Sequence, residues 1–293
     1  MDTEKPQYQL VWPLAAALGE GPVWLEREQT LWFVDIKGCA LHQYMPGTGE
    51  RHSYPLPGQP SFIVPASDGS MLIGMGLGLY RVRDGVLGEQ IATLNGAALD
   101  RTNDATVDAK GRLWFGTMDS SERAPSGAVH VYDGRSVQTV GGACTITNGP
   151  AISPDGRTLY HVDTLAGKIW RFDISTREAL TDGTLFAGID ASDGHPDGVT
   201  VDCEGCVWVA LWGGWCVRRY APDGQLLASV FLPCANVTKI AFGGPDLRTA
   251  YVTTARTGLS AEQLAEQPLA GGLFRFEAPV AGLPAYPVAL THA

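Results

Sequence analysis

The sequence contains no hydrophobic run near the roughly 18 residues that a membrane-spanning helix needs. It also has no basic cluster, and its 31 acidic and 21 basic side chains give a net charge of −10. Nucleic acids and anionic membrane surfaces attract basic patches, so we expect neither as a partner. The first residues lack the apolar core of a signal peptide, which favours a cytoplasmic protein.

Cysteine and histidine do not form a recognisable site. Six cysteines in 293 residues do not indicate a disulfide framework, and the six histidines show no metal-binding spacing. Cys203 and Cys206 form one Cys-x-x-Cys pair, but the second pair that a zinc ribbon needs is absent. No Gly-x-Ser-x-Gly element marks a serine hydrolase.

Turn residues are abundant, with 36 glycines and 19 prolines, and they punctuate a repeat. In residues 148–160 a short apolar strand meets the turn Pro-Asp-Gly, and a β-branched and aromatic strand follows. Six such copies, spaced roughly 40 to 50 residues apart, have the period of propeller blades. The repeat predicts an all-β, six-bladed propeller of four-stranded antiparallel blades, with residues 1–293 as one domain. A strand at about residues 7–12 is expected to close the last blade beside residues 273–276.

Aligned on their turns, the six copies place a polar residue at the start of each first strand. The residues are Glu20, Ser61, Asn103, Asn148, Asp197 and, by a looser alignment, Lys239. The innermost strands of a propeller line its central channel, so these residues should form a ring near the axis. Oxygen-bearing side chains around such a channel suit a hard divalent cation.

Two insertions interrupt the repeat. Residues 119–127 form a polar loop after the second strand of the third copy, and residues 258–271 contain a capping-box sequence beginning at Ser260 that predicts a short helix. Second strands run back towards the face where first strands begin. We therefore expect both insertions at the mouth of the axial cavity.

Several motifs resemble the family of senescence marker protein (regucalcin) and gluconolactonase, in order and spacing over almost the whole chain. The motifs are residues 18–24, 101–104, 116–118, 147–150, 196–198, 242–246 and 268–272. The resemblance is closest to bacterial sugar-acid lactonases such as xylonolactonase and arabinonolactonase. It implies a six-bladed propeller with one axial divalent metal ion held by Glu20, Asn148 and Asp197.

The resemblance also implies that Arg101 and Asn103 contact the substrate. An acidic substrate contact of the animal members falls on Ser121 here, with Asp119 and Glu122 nearby. The residue that replaces this contact, and the preferred sugar, therefore stay open.

The function expected is metal-dependent hydrolysis of a pentono- or hexonolactone to its sugar acid in carbohydrate catabolism. Asp197 would take the proton of the attacking water. Oxygen ligands favour calcium, magnesium or manganese, while relatives also use zinc or ferrous iron. A closed propeller needs no partner subunit, so a monomer is expected. The alternatives are a calcium-binding regulatory protein of the regucalcin type, a phosphotriesterase-like propeller hydrolase, and a metal-free interaction propeller.

Overall fold

The computed structural model describes residues 8–97, 99–176 and 179–290. In these residues 24 strands form six antiparallel sheets of four strands each. The innermost strand of each sheet packs beside the innermost strands of both neighbouring sheets, so the ring is closed. The predicted six-bladed propeller is therefore confirmed.

The first strand, β1 (Gln9–Trp12), belongs to the last blade. The next twelve strands build blades 1 to 3, each in chain order from the axis outward. They are β2 (Gly19–Leu25), β3 (Thr30–Asp35), β4 (Ala40–Met45) and β5 (Glu50–Pro55) in blade 1, β6 (Pro60–Pro65), β7 (Met71–Met75), β8 (Gly78–Arg83) and β9 (Val86–Thr93) in blade 2, and β10 (Asp100–Val107), β11 (Leu113–Asp119), β12 (Gly127–Tyr132) and β13 (Val137–Cys144) in blade 3.

The remaining strands build blades 4 to 6. They are β14 (Thr147–Ile152), β15 (Thr158–Asp163), β16 (Lys168–Asp173) and β17 (Thr184–Gly188) in blade 4, β18 (His195–Val201), β19 (Val207–Trp212), β20 (Cys216–Tyr220) and β21 (Leu226–Phe231) in blade 5, and β22 (Val237–Gly243), β23 (Thr249–Thr254) and β24 (Leu273–Glu277) in blade 6. A short 3₁₀ helix, Ala191–Asp193, precedes β18. Helix α1 (Ala261–Glu266) lies between β23 and β24, and its Ser260 N-cap forms the predicted capping box with Gln263.

The N-terminal strand closes the last blade. β1 runs antiparallel to β24, with Gln9 opposite Arg275 and Leu10 opposite Phe274. Gln7, the first residue of the predicted strand, lies outside the described residues. The pairing covers the backbone edge of β24, which would otherwise be open to another chain.

In blades 3 and 5 an aspartate side chain holds the turn after the innermost strand in the same way. Asp202 is fully buried and accepts hydrogen bonds from the backbone of Glu204 and Cys206, at 3.0 Å each. It also accepts from the indole of Trp208 at 2.9 Å. Asp108 binds Trp114 in the same way at 3.0 Å. Asp108 and Asp202 thus tie their turns to the strand that follows.

The buried apolar side chains of the described residues form six clusters. Each cluster contains residues of two neighbouring blades, so one cluster lies at every blade–blade interface. For example, Trp208 of blade 5 packs edge-on against Phe242 of blade 6, with ring centroids 5.8 Å apart. Because the apolar surface is buried between blades, the axis is left for polar side chains.

The pairing of every innermost strand with its neighbour is irregular at the polar end of the strand. The register shifts fall between Glu20 and Val23, Pro60 and Phe62, Thr102 and Ala105, Asn148 and Ala151, Pro196 and Val199, and Val237 and Lys239. A β-bulge breaks the strict alternation of side chains and can turn one towards a new direction. The repeated bulge explains how polar residues reach the axis from strands that are otherwise apolar.

A C-terminal segment, residues 279–290, crosses the opposite end of the axis. Gly282 donates a backbone hydrogen bond to Leu247 of blade 6, and Val288 donates one to Pro65 of blade 2, each at 2.8 Å. Val288 is fully buried. Together with the far ends of the innermost strands, the segment encloses a cavity of about 150 Å³. The repeat pattern gave no sign of this covering segment.

Candidate metal and substrate site on the propeller axis

The three residues expected to hold a metal are buried at the starts of innermost strands. Glu20 on β2 is 7 % exposed, Asn148 on β14 is 4 % exposed, and Asp197 on β18 is 7 % exposed. They come from blades 1, 4 and 5. Blades 4 and 5 are neighbours, whereas blade 1 approaches them only at the axis. Sequence separations of more than a hundred residues between Glu20 and the others are thus bridged by ring closure.

The carboxyl groups of Glu20 and Asp197 influence each other in this buried space. The pKa of Glu20 is raised to about 8, first by burial and then by the charge of Asp104. The pKa of Asp197 is raised well above its usual range by burial, by Glu20 and by Asp104. A cation between the two carboxylates would relieve both effects, because it favours the ionised forms.

A chain of hydrogen bonds connects Asn148 with the two residues expected to contact the substrate. The Asn103 amide donates to the Asn148 side-chain oxygen at 3.0 Å and to the Thr147 carbonyl at 2.7 Å. The Arg101 guanidinium donates to the Asn103 side-chain oxygen at 2.8 Å. The Asn148 amide donates to the Thr164 hydroxyl at 2.9 Å. These bonds assign the amide orientation of Asn148 and direct its oxygen away from Thr164.

The charge of Arg101 acts on the same space. Burial lowers the pKa of Arg101 to about 10, while Glu20, Glu122 and Asp197 each work to raise it. The guanidinium therefore stays ionised near neutral pH and lies within electrostatic reach of both axial carboxylates. A group that can donate hydrogen bonds is thus available beside the candidate metal ligands.

Asp104 is a site residue to which the sequence assigned no role. It is 2 % exposed and forms an ion pair with Lys239, which is 7 % exposed. Its second oxygen accepts from the backbone N–H of Gly149 at 3.1 Å. Its position directly after Asn103 is the available signal in the sequence, and the bulge of β10 that turns it towards the axis is visible only in the structure. Lys239, aligned only loosely with the ring, does lie on the axis through this ion pair.

The remaining ring member and the polar loop have structural roles. The Ser61 hydroxyl bonds to Thr102 at 2.6 Å and to the Gly74 carbonyl at 3.1 Å. Asp119 accepts hydrogen bonds from the Ser121 hydroxyl and from three backbone N–H groups of residues 121, 123 and 124. These bonds hold the pKa of Asp119 well below its usual range. Of the three loop candidates, Glu122 is the one whose charge acts on Arg101.

The chemistry of the donor set fits a hard divalent cation. Glu20 and Asp197 supply carboxylate oxygens and Asn148 supplies an amide oxygen, the ligand types that calcium, magnesium and manganese prefer. Within the described ranges no group of three or more His, Cys, Asp or Glu side chains is arranged to hold a metal. A metal here would therefore depend on the amide oxygen of Asn148 as its third protein ligand.

Comparisons with known proteins agree in fold and in family. Residues 18–256 match the model of the SMP-30/Gluconolactonase/LRE-like region. A 6-deoxy-6-sulfogluconolactonase from Pseudomonas putida is 37% identical, over 91% of this chain and 93% of that protein. A pentonolactonase from Haloferax volcanii is 35% identical, over 92% and 94%.

A solved structure described as a calcium-binding protein, regucalcin, from Agrobacterium tumefaciens superposes with a TM-score of 0.91. It is 30% identical and covers 96% of this chain and 97% of its own. The described part of this chain contains no helix with the length and hydrophobicity that a membrane span requires.

Proposed function

Because the chain belongs to the SMP-30/gluconolactonase family, we infer that it is a lactonase that hydrolyses a sugar lactone to the sugar acid. We further propose that it uses one divalent metal ion, bound by Glu20, Asn148 and Asp197. The observation that carries this proposal is the meeting of two buried carboxylates with raised pKa values at the axis. Buried carboxylates of this kind are typical of functional sites.

Several residues of this chain would act on the lactone directly. The Arg101 guanidinium would donate hydrogen bonds to ring or hydroxyl oxygens, and the Asn103 side-chain oxygen, which Arg101 binds at 2.8 Å, would accept one from a substrate hydroxyl. Together they would orient the carbonyl. Asp197 would accept a proton from the water that attacks the lactone carbonyl carbon. When bound, the metal ion would polarise that carbonyl and stabilise the negative charge that develops on its oxygen. Breaking the ring C–O bond then yields the open sugar acid, and the proton taken up by Asp197 would pass to the departing ring oxygen, which becomes a hydroxyl.

The surroundings of the site suit a neutral substrate. The chain carries a net charge of −10, so a neutral lactone is not repelled, whereas the anionic product is, as an anionic lactone that carries a sulfonate would be. Relatives named for a pentonolactone and for a sulfonated gluconolactone support a sugar lactone of five or six carbons. Calcium is the first metal to test, since a similar structure is described as calcium-binding. Magnesium, manganese, zinc and ferrous iron are the alternatives.

The proposal is tested by acid release from a panel of pentono- and hexonolactones, including a 6-sulfonated one. The protein is first stripped with chelator and then refilled with each metal in turn. We expect turnover to require a metal and to fall at least about a hundredfold in Glu20→Gln and Asp197→Asn. Matched controls are Glu266→Gln on α1 and Asp223→Asn in an outer turn, both exposed.

Full activity of either axial variant, or metal-independent turnover, would contradict the proposed site. Tight calcium binding with no turnover of any lactone would favour a regulatory calcium-binding protein instead. We also propose that residues 1–293 act as one propeller domain, as a monomer and in the cytoplasm. Light scattering of the purified chain tests the oligomeric state.

A further inference from the structure

An ion pair crosses the propeller axis beside the candidate metal ligands. Lys239 lies on β22 in blade 6, and its partner Asp104 lies on β10 in blade 3. These two blades face each other across the ring of six blades. The Lys239 ammonium also donates to the Ala105 carbonyl at 3.3 Å. Its side chain therefore extends from one wall of the channel to the other.

The path of this side chain depends on a glycine next to Asp197. A Cβ atom at Gly198 would lie 2.6 Å from Cγ and 2.7 Å from Cβ of Lys239, closer than real contacts allow. The lysine stem thus packs directly on the backbone of blade 5. Lys239 also lines the cavity at the opposite end of the axis. It therefore lies between the candidate metal ligands and that cavity.

The ion pair is connected to a candidate metal ligand through the backbone. Asp104 accepts a hydrogen bond from the N–H of Gly149, the residue that follows Asn148, at 3.1 Å. Gly149 has a φ of +69°, a backbone conformation that side-chain-bearing residues rarely adopt. The charge of Asp104 also acts on Glu20 and Asp197, so Asp104 is a third buried carboxylate in the same axial space, and Lys239 compensates its charge.

We propose that Lys239 is a positioning residue that serves as a built-in cation on the axis. By binding Asp104, it keeps this carboxylate from joining Glu20, Asn148 and Asp197, and it limits the site to one moderately bound divalent ion. The inference rests on the metal site proposed above. Without the ammonium group, a divalent cation becomes the natural counter-charge for Asp104.

Calorimetric titration of chelator-treated protein with CaCl₂ and with MnCl₂ tests the inference. We expect one ion per chain in the wild type. Lys239→Met keeps the apolar stem but removes the charge, so it should bind a second ion or bind its ion at least about tenfold more tightly. The double variant Lys239→Met/Asp104→Asn removes both charges. It should return to one ion, within about threefold of the wild-type affinity.

Lys168→Met is the matched control, because Lys168 is exposed on the outer strand β16 and its loss changes the net charge equally. Its titration should match the wild type. Asp104→Asn alone leaves the Lys239 charge without its partner and should weaken ion binding at least about tenfold. If Lys239→Met shows no cooperative unfolding in guanidinium chloride, that variant is not folded. The affinity of Asp104→Asn then still tests the inference.

The outcomes separate the two proposals. A wild-type protein that binds no divalent ion would refute the metal site itself. A wild type that binds one ion, with unchanged stoichiometry and affinity in Lys239→Met or unchanged affinity in Asp104→Asn, would overturn the role of Lys239 alone. A second bound ion or a higher affinity in the Lys168→Met control would show that net charge rather than the axial position is responsible. That result would also overturn the role of Lys239.

Discussion

The buried carboxylate of Glu20 should make the metal-free protein lose stability as the pH rises. Its pKa is about 8 in the folded state, against 4.5 for the free side chain, mainly because burial disfavours the charge. Between these values the folded chain holds a proton that the unfolded chain releases. The free energy of unfolding contributed by Glu20 is therefore fully present below about pH 4.5 and is lost as the pH rises to about 8.

The magnitude follows from the upper part of this window, above the range in which the histidines act. Asp197 and Asp104, whose pKa values are also raised, are present in both the wild type and Glu20→Gln, so the effect of Glu20 is read from the difference between the two proteins. Three buried histidines, His42, His130 and His161, have pKa values lowered to about 4, so their effects fall below the usual histidine value of 6.5. From pH 6.5 to 8, one proton changes the free energy of unfolding by about 1.36 kcal/mol per pH unit, or about 2 kcal/mol in total. Glu20→Gln cannot ionise and should escape this loss.

Guanidinium unfolding of chelator-treated protein at pH 6.5, 7, 7.5 and 8 measures the effect. Over this range we expect the free energy of unfolding of Glu20→Gln to rise by about 2 kcal/mol relative to that of the wild type. Glu266→Gln on the exposed surface of α1 should follow the wild type. Parallel pH profiles of the wild type and Glu20→Gln would refute the reasoning, since the Glu20 carboxyl would then ionise in the folded chain as it does in water.

Two further predictions concern the scaffold. Asp202→Ala should lower the free energy of unfolding by about 3 to 5 kcal/mol, because it leaves the buried Trp208 indole and two backbone N–H groups without their acceptor and removes one of the two carboxylates that bind Arg219. Guanidinium unfolding measures this loss, and a loss no larger than that of the exposed Asp223→Ala would contradict the prediction. His161→Gln should reduce acid destabilisation between pH 6.5 and 4 by about 3 kcal/mol, because the folded pKa of His161, about 4, lies below the unfolded value. Identical acid unfolding midpoints of His161→Gln and the wild type would refute the second prediction.

The repeat made the fold predictable from the sequence alone. Each copy carries its own turn chemistry, such as Pro154-Asp155-Gly156, and turns of this type form from local residues. The polar residues at the starts of the first strands could also be identified, because the six copies can be aligned on their turns. Helix α1 could be predicted because its capping box lies within four consecutive residues.

The roles of individual acidic residues could not be separated in this way. Asp197 and Asp202 both stand beside glycine-containing turns, yet Asp197 lies on the axis and Asp202 binds the indole of Trp208. Asp104 directly follows Asn103, and only the bulge in β10 turns it towards the axis. A bulge depends on the register of two strands, so it cannot be assigned from one strand's sequence.

The sequence by itself determined the all-β repeat, the closing number of blades and the polar character of the ring, because each depends on short-range patterns repeated six times. Only the tertiary structure decided which charged residues interact with one another on the axis. It brings Lys239 across the channel to Asp104 and lays the C-terminal segment over the far end of the axis. Contacts between residues more than a hundred positions apart arise from ring closure, and no local pattern in the chain encodes them.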